Sequence, residues 1–158
     1  MFQTRVAVVF AAAMVAVSWL ACDSAAAEIV VTVDKAKQRM LVVVDGEHRY
    51  TWPVSTGLGG TPSGSYRAQI LSRNHRSTIF GNAPMPFAIF YSGHYAIHGT
   101  TAVAQLGRRA SKGCVRLHPS NAAVLFALVQ KHGMANTRIL IQDSVTRVAH
   151  RDASSRSQ

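Results

Sequence analysis

The chain predicts a mostly β domain with one substantial α-helix, on three observations. Residues 28–54 carry β-branched and alternating runs broken by Asp45-Gly46. Thr137 to Gln142 returns to the same character near the end, and one stretch between Pro119 and Gly133 sets apolar residues at helical spacing. At 158 residues, 48% hydrophobic and 15% charged, the chain fits one folded domain rather than a disordered one.

Glu28 to Asp34 and Arg39 to Val44 read as strands joined by the polar Asp34-Lys35-Ala36-Lys37. Asp45-Gly46 is a two-residue hairpin signal, since a type I′ turn needs positive φ at both positions, and Glu47 to Val54 returns as the partner strand. Ser55 to Ser65 shifts to Thr, Gly, Pro and Ser, which predicts a long turn-rich loop. Tyr66 to Leu71 reads as a further strand. Asn74 to Pro86 reads as irregular because Pro84 and Pro86 disfavour central pairing. Phe87 to Tyr91 and Tyr95 to Ile97 are short strands around Ser92-Gly93-His94. Pro119-Ser120-Asn121 starts the helix, with Val124, Leu125, Leu128 and Val129 on its apolar face and Gly133 as its stop. Thr137 to Gln142 closes the sheet as a last strand.

The ends read differently from the body. Met1 to Ala27 has the order of a secretory signal: Arg5, an apolar run from Val6 to Leu20, then small residues to Ala27. The run is short for a membrane span, so any membrane association comes through this signal or its retention as an anchor. Lipidation at Cys22 is the minor reading, because Trp19 and Leu20 fit that signal poorly. The body then spans 28–142, and 143–158 is a Ser- and Arg-rich flexible tail. Cleavage after Ala27 removes one Arg and one Asp and preserves the net charge of +10, which favours anionic surroundings.

That cleavage also leaves Cys114 as the sole thiol. Ile97-His98-Gly99-Thr100 ends a strand, Ser111-Lys112-Gly113-Cys114-Val115-Arg116-Leu117 precedes the helix, and fifteen residues separate His98 from Cys114. An imidazole within reach of a thiol can take its proton, and Lys112 and Arg116 add charge that favours thiolate. Gly113 lets the backbone approach a substrate closely, so the amides of Gly113 and Cys114 are candidate oxyanion donors. Spacing alone leaves two readings open, since a lone Cys is often a buried hydrophobe and a lone His often satisfies a local hydrogen bond. The flanking glycines favour chemistry.

His98-Gly99-Thr100, then Leu106-Gly107, then Ser111 to Leu117, in that order, resemble the signature of the YkuD-type L,D-transpeptidase family. Asn82 to Pro86 and Thr61 to Gly64 resemble segments that precede the family's histidine, and the likeness spans Glu28 to Gln142. The resemblance implies a β-sandwich-like catalytic domain without cofactor or metal, acting on peptidoglycan peptide stems. It makes Cys114 the nucleophile, His98 the general base and acid, and the Gly99 carbonyl the group that orients the imidazole. Arg116, with Ser111 and Lys112 beside it, becomes a substrate contact, its guanidinium suited to a carboxylate. Lys112 stands where many relatives have a second histidine. The acceptor stays open: a second stem gives a crosslink, water gives a carboxypeptidase or amidase, and a protein lysine gives an anchoring enzyme.

Two rival readings come from other classes. His94, His98, Cys114 and His118 could hold zinc, although no familiar ligand spacing is completed. A non-catalytic basic protein binding wall polymer would also satisfy the charge. Nucleic acid is disfavoured, because the cations form no dense motif with interleaved aromatics.

Overall fold

The computed structural model describes residues 28–144, so the signal reading of Met1 to Ala27 and most of the basic tail lie outside the described residues. The described residues form nine strands and one long helix, with strands β1 Ile29–Asp34, β2 Arg39–Val44, β3 Glu47–Pro53, β4 Gly64–Arg67 and β9 Thr137–Gln142 in one sheet. The other sheet holds β5 Ile70–Arg76, β6 Pro84–Ser92, β7 Tyr95–Gly99 and β8 Val115–Leu117. Helix α1, Pro119–His132, packs on β6, β7 and β1. The mostly β architecture read from the sequence is the architecture of the molecule.

In β1 the residues Ile29, Val31 and Val33 are fully buried while Val30 and Thr32 are only half-buried, and Ile139 and Ile141 of β9 repeat the pattern. Period-two burial puts one face of this sheet on the core. The same apolar cluster takes in Ile97, Val115 and Leu117 from the other sheet and Leu125, Phe126 and Val129 from α1. Burying each such side chain contributes about 1.5–3 kcal/mol. Asp45 and Gly46 both have positive φ, 53° and 78°, as the predicted hairpin turn requires.

Five expectations are corrected by the packing. Tyr66 to Leu71 is two strands, because the chain changes sheets at Ala68 and Gln69: the Ala68 amide bonds Thr137 O and the Gln69 amide bonds Phe90 O. Asn74 to Pro86 is paired at both ends, with Pro84 opposite Arg76 and Pro86 opposite Asn74, and is irregular only from Ser77 to Ala83. The prolines are tolerated because β7 joins β6 only from Ile89 onward, leaving their end with a neighbour on one side. Strand β9 lies inside its sheet, parallel to β1 and antiparallel to β4. On α1, Ala122 and Phe126 are buried and Val124 is exposed, so the core-facing stripe is rotated from the one expected. Asp143 belongs to the body: it pairs with Lys35 Nζ at 3.1 Å and accepts from Ser63 Oγ at 3.1 Å.

One polar network ties the two sheets together. Gln38, at the positive φ of 50° that ends the β1–β2 turn, donates from Nε2 to Thr56 Oγ1 at 2.7 Å and accepts from the Thr56 amide at 2.9 Å. Thr56 O accepts from the Ala110 and Ser111 amides. Buried Thr61 accepts from the Gly57 amide at 2.9 Å and donates to Gly113 O at 2.8 Å. The loop after β3 is thereby fastened to the segment entering β8. Among the described residues no helix is long and apolar enough to cross a membrane.

Three stability measurements follow. Thr61→Val keeps the shape but leaves the Gly57 amide and Gly113 carbonyl unpaired, and chemical denaturation should show a loss of about 1–3 kcal/mol. Ile139→Ala, at a fully buried site in the inner strand, should cost about 2–5 kcal/mol. Ile70→Ala, at 59% exposure, should change stability by under about 0.5 kcal/mol.

Candidate active site

His98 and Cys114 reach one place by parallel pairing of β7 with β8, in which Ile97 lies opposite Val115 and His98 opposite Arg116. Cys114 immediately precedes β8, and two-residue alternation puts it on the same face as Arg116. Cys114, His98 and Arg116 line a cleft of about 270 Å³ together with Thr100, Ser77 and Met85. A neighbouring recess of about 250 Å³, walled by His75, His94 and Phe90, also ends on Cys114.

His98 is buried at 6% exposure, and its Nδ1 lies 2.7 Å from Gly99 O. A carbonyl accepts only, so Nδ1 carries the hydrogen and donates, which leaves Nε2 as the basic nitrogen of the neutral ring. Burial holds the imidazole down at about 4; the Gly99 carbonyl opposes this, and Arg116 and His75 reinforce it. Gly99 is required by close approach, since a Cβ there would meet Pro119 Cα and Pro86 Cγ at 3.1 Å.

Cys114 is half-buried, and its Sγ lies 3.7 Å from His94 O, to which the thiol donates. Burial pushes the thiol up, against the Ala96 backbone N–H and the Arg116 charge, which favour thiolate. The thiolate expected from Lys112 and Arg116 is therefore not the resting form at neutral pH. Arg116 acts in the expected direction but burial outweighs it, while Lys112 turns to an aromatic ring. Its ammonium instead sits 4.6 Å from the centre of the Phe80 ring, across the cleft mouth. Burial thus favours the neutral form of both thiol and imidazole.

The loop before the cysteine is built from internal bonds. Ser111 is buried and its Oγ donates to Cys114 O at 2.6 Å and accepts from the Gly113 amide at 3.1 Å. The Ser111 hydroxyl thus holds the loop in shape. The Gly113 amide, expected as an oxyanion donor, is already bonded, while the Cys114 amide is not held by that hydroxyl. Gly113 needs its φ of 134°, and a Cβ there would strike the Tyr95 ring at 2.7 Å. The glycine admits neighbouring protein rather than substrate. Arg116, half-buried in the cleft, donates from Nη1 to Gln105 Oε1 at 3.1 Å.

The zinc ligands considered from sequence separate. His118 caps α1, its Nδ1 accepting from the Ser120 amide, and the His94 ring lies against Tyr95 at 4.3 Å. Among the described residues no three His, Cys, Asp or Glu side chains gather. Sequence reasoning missed the Ala96 amide, Thr61 and Gln38. Only the Thr61 segment carried a signal, in its likeness to family sequence, and nothing in that likeness assigned its hydroxyl.

Comparison with known proteins agrees with this fold. The sequence model for the YkuD L,D-transpeptidase catalytic domain matches residues 28–145. YkuD of Bacillus subtilis (strain 168) is 33% identical over 85 residues, covering 50% of this chain and 47% of that protein. YqjB of the same organism is 27% identical over 128 residues, covering 72% and 70%. The solved L,D-transpeptidase of Mycobacterium smegmatis shares the fold with a TM-score of 0.65 at 24% identity, over 73% of this chain and 59% of that one. The chain thus spans about half the length of YkuD and under two thirds of that solved chain. With the family match extending over the whole described body, the chain belongs to the YkuD L,D-transpeptidase catalytic-domain family.

Proposed function

We propose that the protein is an exported, cysteine-dependent L,D-transpeptidase acting on peptidoglycan peptide stems in the periplasm or cell wall. The observation that carries this reading is that the Cys114 thiol and an imidazole whose Nδ1 is held on Gly99 O stand on the wall of one cleft. Export rests on the signal-like order of Met1 to Ala27.

Nε2 of His98 takes the thiol proton as Sγ bonds to the carbonyl joining the L-centre of the diamino acid to terminal D-alanine. Charge develops on the carbonyl oxygen, and the Cys114 amide is the donor suited to it. The proton passes to the D-alanine nitrogen as the C–N bond breaks, leaving a thioester on Cys114. An amine of a second stem then attacks, loses its proton to His98, and the thiol is regenerated with a new peptide bond. Arg116 offers a carboxylate two parallel hydrogen bonds, and its charge also keeps the imidazole neutral and ready to accept. Because the resting pair is neutral, proton transfer accompanies attack rather than preceding it.

Incubation with tetrapeptide-bearing wall fragments followed by mass spectrometry tests this directly. The intact protein should yield dimers that have lost one D-alanine, and Cys114→Ala should lower turnover by at least about 10³-fold. Tripeptide monomers alone would point to water as acceptor. Identical products from both proteins would remove Cys114 from the mechanism.

The second test is pH. With His98 held at about 4, the acid limb of kcat/KM should fall near that pH instead of near 6.5. The same depression links to stability: an unfolded chain binds the proton first, so stability is complete above about 6.5 and falls as pH drops towards 4. The loss should be roughly 3 kcal/mol, and His98→Gln should abolish it.

A further inference from the structure

From His48 to Gln142 the sequence contains no Asp or Glu, yet it holds ten Lys and Arg residues. The fold turns this run into a spatial division. Every acid among the described residues sits in β1 to β3, their turns and ends, or just after β9. All four ion pairs among the described residues, Lys35–Asp143, Lys37–Asp34, Arg49–Glu47 and Arg138–Glu28, lie on that side. The second sheet, α1 and the cleft loops carry cations without a carboxylate.

Of these cations Lys112 and Arg116 line the cleft, and others lie close in sequence to its lining residues. Arg108, Arg109 and Lys112 are exposed on the loop that runs into Cys114, and exposed Arg76 immediately precedes Ser77, which lines both recesses. Their partners are neutral: Arg76 donates to Asn82 O, and Lys112 rests on the Phe80 ring. Arg109 has a carboxylate in range only as a weak, longer influence on Asp143. Like-signed charges beside a cleft with no counter-charge set up a field that concentrates anions at its mouth. Ion pairs on the opposite sheet leave no comparable field there.

We infer that the cleft-bearing half is a docking face for a carboxylate-rich polymer, insoluble peptidoglycan itself, contacted by Arg76, Arg108, Arg109 and Lys112. The inference rests on the reading of wall peptides as substrate. Continuity selects this occupant: the loop that carries Arg108, Arg109 and Lys112 is the loop that presents Cys114, so the polymer it gathers is the one whose stems enter. A free stem carries carboxylates, including that of its terminal D-alanine, which match these guanidinium groups.

The test is co-sedimentation of the full chain with purified peptidoglycan stripped of phosphate polymers, across a salt series. Three proteins are compared: the unaltered chain, Arg108→Gln with Arg109→Gln, and Arg39→Gln with Arg49→Gln on the opposite sheet. All share the same tail, so differences report the two faces. The unaltered chain should pellet at low salt and be released by about 0.5 M, where screening shortens to a few ångströms. The Arg108/Arg109 pair should weaken retention about threefold to tenfold, and the Arg39/Arg49 pair by less than about twofold. Equal losses from both pairs, retention that persists in high salt, or retention only by phosphate-bearing walls or nucleic acid would overturn the inference. The kcat on a short soluble stem at saturating concentration, measured in parallel, checks that each protein keeps its catalytic centre, apart from any change in capture. Retention without any turnover would sink the catalytic reading alone, while turnover without retention would sink only the docking face.

Discussion

The contact of the Gly57–Gly60 backbone with the Gly113 backbone is the constraint on which the site depends. A Cβ on Gly57 would lie 2.6 Å from Gly60 O and 2.8 Å from Gly113 Cα, and neither can move as a side chain could. Thr61 closes the same joint through its hydroxyl, and its carbonyl accepts from Lys35 Nζ at 3.0 Å. One loop extends from the first sheet and the other enters the second, so this joint sets where Cys114 stands relative to β7. Bridges of Ser55 with Arg116 and Gly57 with Ser111 continue it along the cleft wall.

Once the loop is placed, burial governs its electrostatics. Taking a thiolate or an imidazolium out of water costs more than a single partner restores, so both groups rest neutral. Arg116 makes the bias asymmetric in a useful direction. Its charge favours the thiolate and disfavours the imidazolium, so it eases departure of the proton from sulfur while keeping Nε2 free to receive it. Gly99 O acts on a different property: it selects the tautomer and fixes the ring.

The division of charge extends this logic beyond the cleft. Carboxylates near Cys114 would disfavour thiolate, and none of the described residues around the cleft is acidic. The acids stand where they neutralise neighbours on the opposite sheet instead.

What the sequence determined by itself was local. Alternating, apolar and β-branched runs marked β1, β2 and β9, the Asp45-Gly46 pair marked a turn whose positive φ follows from those residue types, and the Pro119 and Gly133 signals bounded α1. The residues His98, Gly99, Cys114 and Arg116 were legible because imidazole, thiol and guanidinium have few substitutes, and because their ordered blocks resemble a family. Tertiary structure alone decided which neighbours those groups have. Whether Gly113 faces substrate or Tyr95, whether the Ser111 hydroxyl is available, and how far burial displaces His98 all depend on segments distant in sequence. So does the role of Gln38, whose side chain reaches Thr56 only because β2 and β3 fold back as a hairpin. Strand β8 is too short for a periodic signal, and Pro84 and Pro86 argued against a strand that an open edge permits. Periodicity and turn chemistry act over a few residues, whereas burial and hydrogen-bond partners belong to the packed molecule.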